Sequence, residues 1–301
     1  MTIDQQAVRT YLATNARLID LALYDFQFGN SSQQAVIQAL AAYQNKDGGF
    51  GKGIEPDFQL PDSSALATTV AFQYLAKLRS PEVIDMAHKG IAYFLQTYDR
   101  QKNGWNIVPK EVNSYPHAPW WEYEHSQQGF GWGNPAAEIL GYLLQYREFV
   151  DDVVLVDTVA QRALERLREL SGQAEPDFHE LLCYIRLHQQ ADQQLQAEIH
   201  QPLANLITKA ANRNPDEWGS YVATPLTFIK APGSPFISLF DHKLIKINLN
   251  YLKQAIVNSD HWGPTWDWGD SYPDDWQEAK RAWSGKLTVE NVTVLRAFKA
   301  L

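Results

Sequence analysis

Three stretches of the chain carry residue types suited to chemistry. Glu55 and Asp57 flank a proline in Gly53-Ile54-Glu55-Pro56-Asp57. Two carboxylates at the mouth of a pocket can serve as general acid and general base. Carboxylates near helix starts are also favoured by the helix dipole, so capping is the competing reading of the pair. The second stretch, Pro119-Trp120-Trp121-Glu122-Tyr123-Glu124-His125, is the densest aromatic and acidic segment. Trp120, Trp121 and His125 beside Glu124 suit a sugar ring, or a cation held over π faces. The alternative is a lid whose indoles cover one end of the fold.

The third stretch runs from His261 and Trp262 through Trp266-Asp267-Trp268 to Asp274-Asp275-Trp276-Gln277-Glu278. Asp267 completes a candidate catalytic set with Glu55, Asp57 and Glu124. Trp266 and Trp268 join Trp120, Trp121 and His125 as candidate substrate-binding residues, although burial between helices is expected for Trp262 and Trp266. Asp274, Asp275 and Glu278 have a spacing that can hold magnesium. Acidic matches of this length often arise by chance, so no metal and no cofactor is expected. His179-Glu180-Leu181-Leu182-Cys183 imitates a zinc-protease helix with cysteine where the second histidine belongs. Two ligands do not make a site, and a buried thiol is expected. Gly48-Gly49-Phe50-Gly51-Lys52-Gly53 lacks the spacing and hydroxyl of a phosphate loop.

These residues need elements to position them, and the pattern is helical. Val153, Val156, Val159, Ala163, Leu167 and Leu170 recur at three- and four-residue steps, with charged residues on the opposite face. Val8 to Leu23 and Val83 to Leu95, the latter opened by Pro81, read the same way. A second kind of helix is apolar nearly all round: Ala65 to Leu75 after Asp62-Ser63-Ser64, and Ala136 to Leu144 after Asn134-Pro135. A helix apolar on every side must be covered on every side, which predicts an inner ring of helices wrapped by an outer one. Strand periodicity is sparse.

Four loops punctuate the helices: Asp47-Gly48-Gly49-Phe50-Gly51, Asn103-Gly104-Trp105, Glu217-Trp218-Gly219 and His261-Trp262-Gly263. With Gly172 counted between the second and third, glycines recur at intervals of 55, 68, 47 and 44 residues, which predicts about six helical hairpins, an all-α (α/α) toroid or barrel. Glu55-Pro56-Asp57-Phe58 is echoed by Glu175-Pro176-Asp177-Phe178, and capping alone accounts for such an echo. With 45% hydrophobic residues and no Pro/Ser/Gly-rich linker, residues 1–301 are expected to form a single domain.

The net charge of −9, with no Lys/Arg cluster, argues against a nucleic-acid partner. Cys183 is alone, which excludes an internal disulfide. The polar N-terminal segment does not resemble a secretory signal, and no run is apolar enough to span a bilayer. A cytoplasmic protein is expected, with a small-molecule ligand in a central cavity and an oligomeric state left open.

Tyr43-Gln44-Asn45-Lys46-Asp47-Gly48-Gly49-Phe50-Gly51, followed by Ser64 to Ala71, resembles the glutamine–aromatic repeat of squalene and terpene cyclases and protein prenyltransferase β subunits. Tyr98 to Trp105 is a looser copy. Trp283-Ser284-Gly285-Lys286-Leu287-Thr288, leading into a helix from Val289 to Leu301, is similar to a closing unit. The run from Asp47 to Leu75 is also similar to bacterial proteins carrying such repeats. The resemblance implies an (α/α) toroid with an elongated isoprenoid-like substrate in an aromatic- and acid-lined cavity. The Asp-x-Asp-Asp acid of the cyclases is not present; the order here is Asp267-Trp268-Gly269-Asp270. Cys183 lacks the Asp-x-Cys context of the prenyltransferase zinc site. Two further expectations stand beside this one: a carbohydrate hydrolase or lyase using paired carboxylates, and a non-catalytic scaffold.

Overall fold

The computed structural model describes residues 2–258 and 260–301. Regular structure among them is helical, and β pairing is confined to isolated bridges. The helices are α1 (Gln5–Asn15), α2 (Leu18–Gln27), α3 (Gln33–Ala41), α4 (Ala65–Leu75), α5 (Pro81–Thr97), α6 (Tyr123–Gly129) and α7 (Gly133–Gln145). They continue with α8 (Val153–Ser171), α9 (Phe178–Gln190), α10 (Gln193–Ala210), α11 (Pro225–Phe228), α12 (His242–Gln254) and α13 (Pro273–Ala297). No helix among the described residues is long and apolar enough to cross a membrane. The chain divides into two compact units, a central one (Leu40–Ala210) and a terminal one (Met1–Ala39 with Ala211–Leu301). The first boundary falls inside α3, so no change of composition marks it.

In the central unit α4 is buried along its whole length apart from Gln73, and α7 is buried from Gly133 to Leu143. They are the helices whose sequences are apolar all round. α4 packs on α5 and α7, α7 packs on α8 and α9, and α10 covers α8 and α9. α5 and α8 bury one face each, Val83, Met86, Ala87 and Ile91 in the first, Val156, Val159, Ala163 and Leu167 in the second. Phe72 of α4 joins Phe94, Tyr142 and Tyr146 in an aromatic cluster. Gly90 lets it approach: a Cβ there would lie 2.5 Å from the Phe72 ring. Burying one such ring contributes about 1.5–3 kcal/mol.

Side-chain caps define the helix starts. Ser64 accepts from the Ala67 amide, Ser80 from Val83 ahead of Pro81, and Asp152 from Leu155. Asp177 accepts from the His179 amide, so Glu175-Pro176-Asp177-Phe178 is capping chemistry. Its echo is placed differently: Asp57 lies well before α4, whose cap is Ser64, so Glu55 and Asp57 do not cap that helix.

The terminal unit packs α1 and α2 on one another and both on α13, so the first and last helices of the chain are neighbours. Two expectations are corrected here. Val8 to Leu23 is not one helix: Ala16 and Arg17 are extended, with ψ of 168° and 150°. Arg17 turns to place its guanidinium 2.8 Å from the buried carboxylate of Asp20. Trp283 to Thr288 is not a loop before a terminal helix but lies in the middle of α13. Gly285 makes no turn there. It admits the end of α1, since a Cβ would stand 2.6 Å from the Ala16 Cβ.

Candidate functional site

The Gly-rich loop after α3 is held by its own polar residues. The Gln44 amide donates to the carbonyls of Gly48 and Met86, 3.0 and 3.1 Å. Asn45 donates to the Pro61 carbonyl and to the Ser63 hydroxyl, which in turn donates to Asp47. The glycines permit the crowding. A Cβ on Gly48 would meet the Lys89 carbonyl oxygen at 2.4 Å, and one on Gly51 the Asp62 carbonyl oxygen at 2.1 Å. This anchoring presents residues 53–59 to the rest of the unit.

Three loops share one plan. The residue before the aromatic accepts a backbone bond from a residue a few positions earlier: Gly49 from Asn45 (2.9 Å), Gly104 from Asp99 (2.8 Å), His261 from Val257 (2.7 Å). The aromatic then plugs the interior; Phe50, Trp105 and Trp262 are all buried. Each indole N–H donates to a carbonyl near the end of the preceding helix, Trp105 to Phe94 and Trp262 to Leu252. The amides of Phe50 and Trp262 donate to threonine hydroxyls, Thr68 and Thr288, each at 3.0 Å. The loop at Trp218 differs: its indole donates to Asn212 in the adjacent turn.

The structure brings the first two candidate stretches together. Residues 57–59 run antiparallel to 116–118: Ala118 donates to the Asp57 carbonyl, Gln59 to that of Pro116, and Phe58 bridges His117. Glu55 and Asp57 are both buried beside this seam. The connection beyond it forms short 3-10 turns at Lys110–Ser114 and Pro119–Trp121 and then α6. Trp121 is buried, edge-on to Phe58 and stacked on Phe130. Its indole N–H is buried with no hydrogen-bond acceptor among the described residues. Glu122 accepts from Asn113 at 2.5 Å and faces His117 Nε2 at 3.0 Å, while His117 Nδ1 stands 2.6 Å from the Tyr115 carbonyl. Asn113 also donates to Glu124, 3.2 Å. Trp120 is half-buried; Glu124 and His125 are exposed.

The third stretch belongs to the terminal unit. Asp267 is exposed and accepts from the Gly269 amide, a local turn. Trp268 is buried against Trp276, whereas half-buried Trp266 lies between Tyr221 and Trp283. Asp274 and Asp275 occupy the first turn of α13, where the dipole favours them. No group of three or more His, Cys, Asp or Glu side chains is arranged to hold a metal among the described residues.

Two further carboxylates of the central unit are buried, Glu138, which no sequence motif marked, and Glu180, which entered only as part of the His179–Cys183 stretch. Glu138 of α7 accepts from Tyr142 (2.7 Å) and Gln73 (3.0 Å) on one oxygen and from Arg186 (3.0 Å) on the other. Burial, then the neighbouring Glu138 charge, pushes the Tyr142 hydroxyl well above its ordinary range. Glu180 of α9 takes Arg166 in a two-point grip, 2.9 Å at each oxygen, and also the Gly133 amide at 2.8 Å. Cys183, one turn on, is buried as expected, and burial raises its thiol well above the usual value. A charged residue inside an otherwise apolar helix, as in Ala136-Ala137-Glu138-Ile139-Leu140, is the signal that marks such groups. No family model, curated protein or solved structure matches this chain.

Proposed function

We propose that the helical hairpins close into an (α/α) toroid that binds and processes a polyhydroxylated substrate, an oligosaccharide, at the seam of residues 53–59 and 113–125. The observation that carries this reading is the Trp121 indole N–H, buried and lacking an acceptor beside the rings of Phe58 and Phe130. A buried unsatisfied donor costs about 1–3 kcal/mol, which a ligand oxygen would offset. Aromatic faces next to carboxylates and amides are what sugar rings use: apolar C–H faces stack and hydroxyls find acceptors. Glu55 and Asp57 are the assigned acid–base pair, with Glu124 at the exposed rim. Closure is supported by the shared plan of the three loops and by the packing of α1 and α2 on α13.

The repeat resemblance favours an isoprenoid instead, and the aromatic set Phe58, Trp121 and Phe130 suits one. The polar layer of Gln73, Glu138 and Arg186, on helices that a toroid would place inside, is better matched to a hydroxylated ligand than to a hydrocarbon. A thermal-shift panel of oligosaccharides and isoprenoid diphosphates tests the choice. At a hundredfold excess over Kd a ligand adds about 2.7 kcal/mol of stability. An oligosaccharide is expected to raise the Tm of wild type and to lose that effect in Trp121→Phe, which keeps a ring and removes the donor. A shift from the diphosphates alone would sink the carbohydrate reading; none from either class would favour the scaffold.

A further inference from the structure

The loop before α13 departs from its siblings in one residue. Where the other two place Gly49 and Gly104, it has His261. The sibling positions are closed over: a Cβ on Gly49 would lie 2.6 Å from the Ser63 Cβ, and one on Gly104 2.8 Å from the Trp132 indole nitrogen. The backbone plan therefore works without a side chain here, and the loop itself gives no reason for a histidine.

The imidazole is held on two sides. Its Nδ1 lies 2.6 Å from Asp260 Oδ1. A carboxylate only accepts, so Nδ1 carries the hydrogen and the neutral ring keeps its lone pair on Nε2. One face of the ring is covered by Tyr11 of α1, with centroids 4.0 Å apart and planes 2° from parallel. Tyr11 belongs to α1, which packs on α13, the helix that carries Ser284. Ser284 donates to the Lys280 carbonyl, 2.8 Å, and is buried. The His261 side chain nevertheless keeps 18% of its surface exposed. A ring fixed in orientation and tautomer, and still open to solvent, is what a proton acceptor requires.

We propose that His261 Nε2 is the proton-accepting atom of a second ligand site, in the terminal unit, for a ligand that presents a hydroxyl group. Asp260 and Tyr11 are its positioning residues. The hydroxyl proton passes to Nε2, the bonding pair stays on the ligand oxygen, and the imidazolium is held by the Asp260 carboxylate. This site shares no residue with the seam at Trp121, so either assignment can fail while the other stands.

Acylation of the folded full-length chain by diethyl pyrocarbonate, followed residue by residue with mass spectrometry, reads the nucleophilic nitrogen directly. Asp260→Asn is expected to slow the reaction at His261 about tenfold, the lower end of what losing such a partner removes elsewhere, and to leave the half-buried His179 unchanged. A mixture of oligosaccharides at millimolar concentration is expected to protect His261 and not His179. His261→Gly, which installs the sibling residue, should leave the Tm close to wild type. Equal rates in Asp260→Asn and wild type, absence of protection, or a His261→Gly protein that melts far below wild type would each overturn the assignment.

Discussion

Phe50 and Trp262 donate their amides to Thr68 and Thr288 over the same distance, yet the residue before each aromatic has an opposite fate. In the central unit Gly49 is pressed against Ser63 and Tyr93, and the loop is locked by Gln44, Asn45 and Asp47. In the terminal unit the same position holds a histidine stacked on Tyr11. Backbone bonds and the buried ring define the loop; the preceding side chain is free to vary only where no neighbour closes over it. A repeat can thus keep its scaffold while differing in chemistry from copy to copy.

Exchanging the two residues is the most direct way to break this comparison. Gly49→His should be the most damaging single change in either loop, costing about 3 kcal/mol or more as overpacking against Ser63 and Tyr93, read as a large drop in Tm or in soluble yield. The reciprocal His261→Gly loses one ring stack, about 0.5–1.5 kcal/mol at most. Comparable losses from the two would show that the positions are not equivalent.

Thr68→Val and Thr288→Val sharpen the likeness. Both threonines are fully buried, and each variant leaves an aromatic residue's amide without its acceptor. Chemical denaturation should give about 1–3 kcal/mol for each, similar in size. A loss confined to Thr68 would mean that the Trp262 loop draws its order from elsewhere. Smaller still, Trp105→Phe and Trp262→Phe remove one indole donor apiece and should cost about 1 kcal/mol plus a little packing.

A titration gives the smallest effect and separates the regions in another way. In the central unit His188 of α9 faces His200 of α10, with Nε2 and Nδ1 3.1 Å apart. Burial, then the second imidazole, pushes the His188 pKa below its ordinary value of 6.5. A folded-state pKa lower than the unfolded one contributes stability that is present above the ordinary value and is lost as pH falls below it. Tm should therefore decline on the acid side of about 6.5, and the decline should be shallower in His188→Gln. A slope unchanged by the substitution would remove the histidine pair from the account.

Helices whose apolar pattern matches their surroundings were legible from residue order. Ala65 to Leu75 and the stretch beginning at Val153 have the predicted starts, because Ser64 and Asp152 are local caps. The break at Ala16-Arg17 was not, since apolar periodicity runs through it and only the Arg17–Asp20 pairing and the close approach of Gly285 require it. Trp283-Ser284-Gly285 reads like a loop because glycine serves turns and tight helix contacts equally well. Glu55, Asp57, Trp121 and Glu124 could each be nominated. The pairing of their two segments at Phe58 and His117 spans a long stretch of chain and is encoded by no local pattern. The roles of Glu138 and Glu180 were not legible, because a carboxylate in an apolar helix has no meaning until its arginine is placed.

Glu180 occupies space that belongs, by backbone position, to two other residues. A Cβ on Gly131 would fall 1.9 Å from one of its oxygens, and a Cβ on Gly133 2.7 Å from the other. Gly131, Gly133, Arg166 and Glu180 are consequently not independent letters. Shortening the acid alone would free neither glycine, because Arg166 would still stand 2.4 Å from a Cβ on Gly131 and the Tyr184 ring 2.7 Å from one on Gly133; a change at one of these residues has to be met by changes at the others.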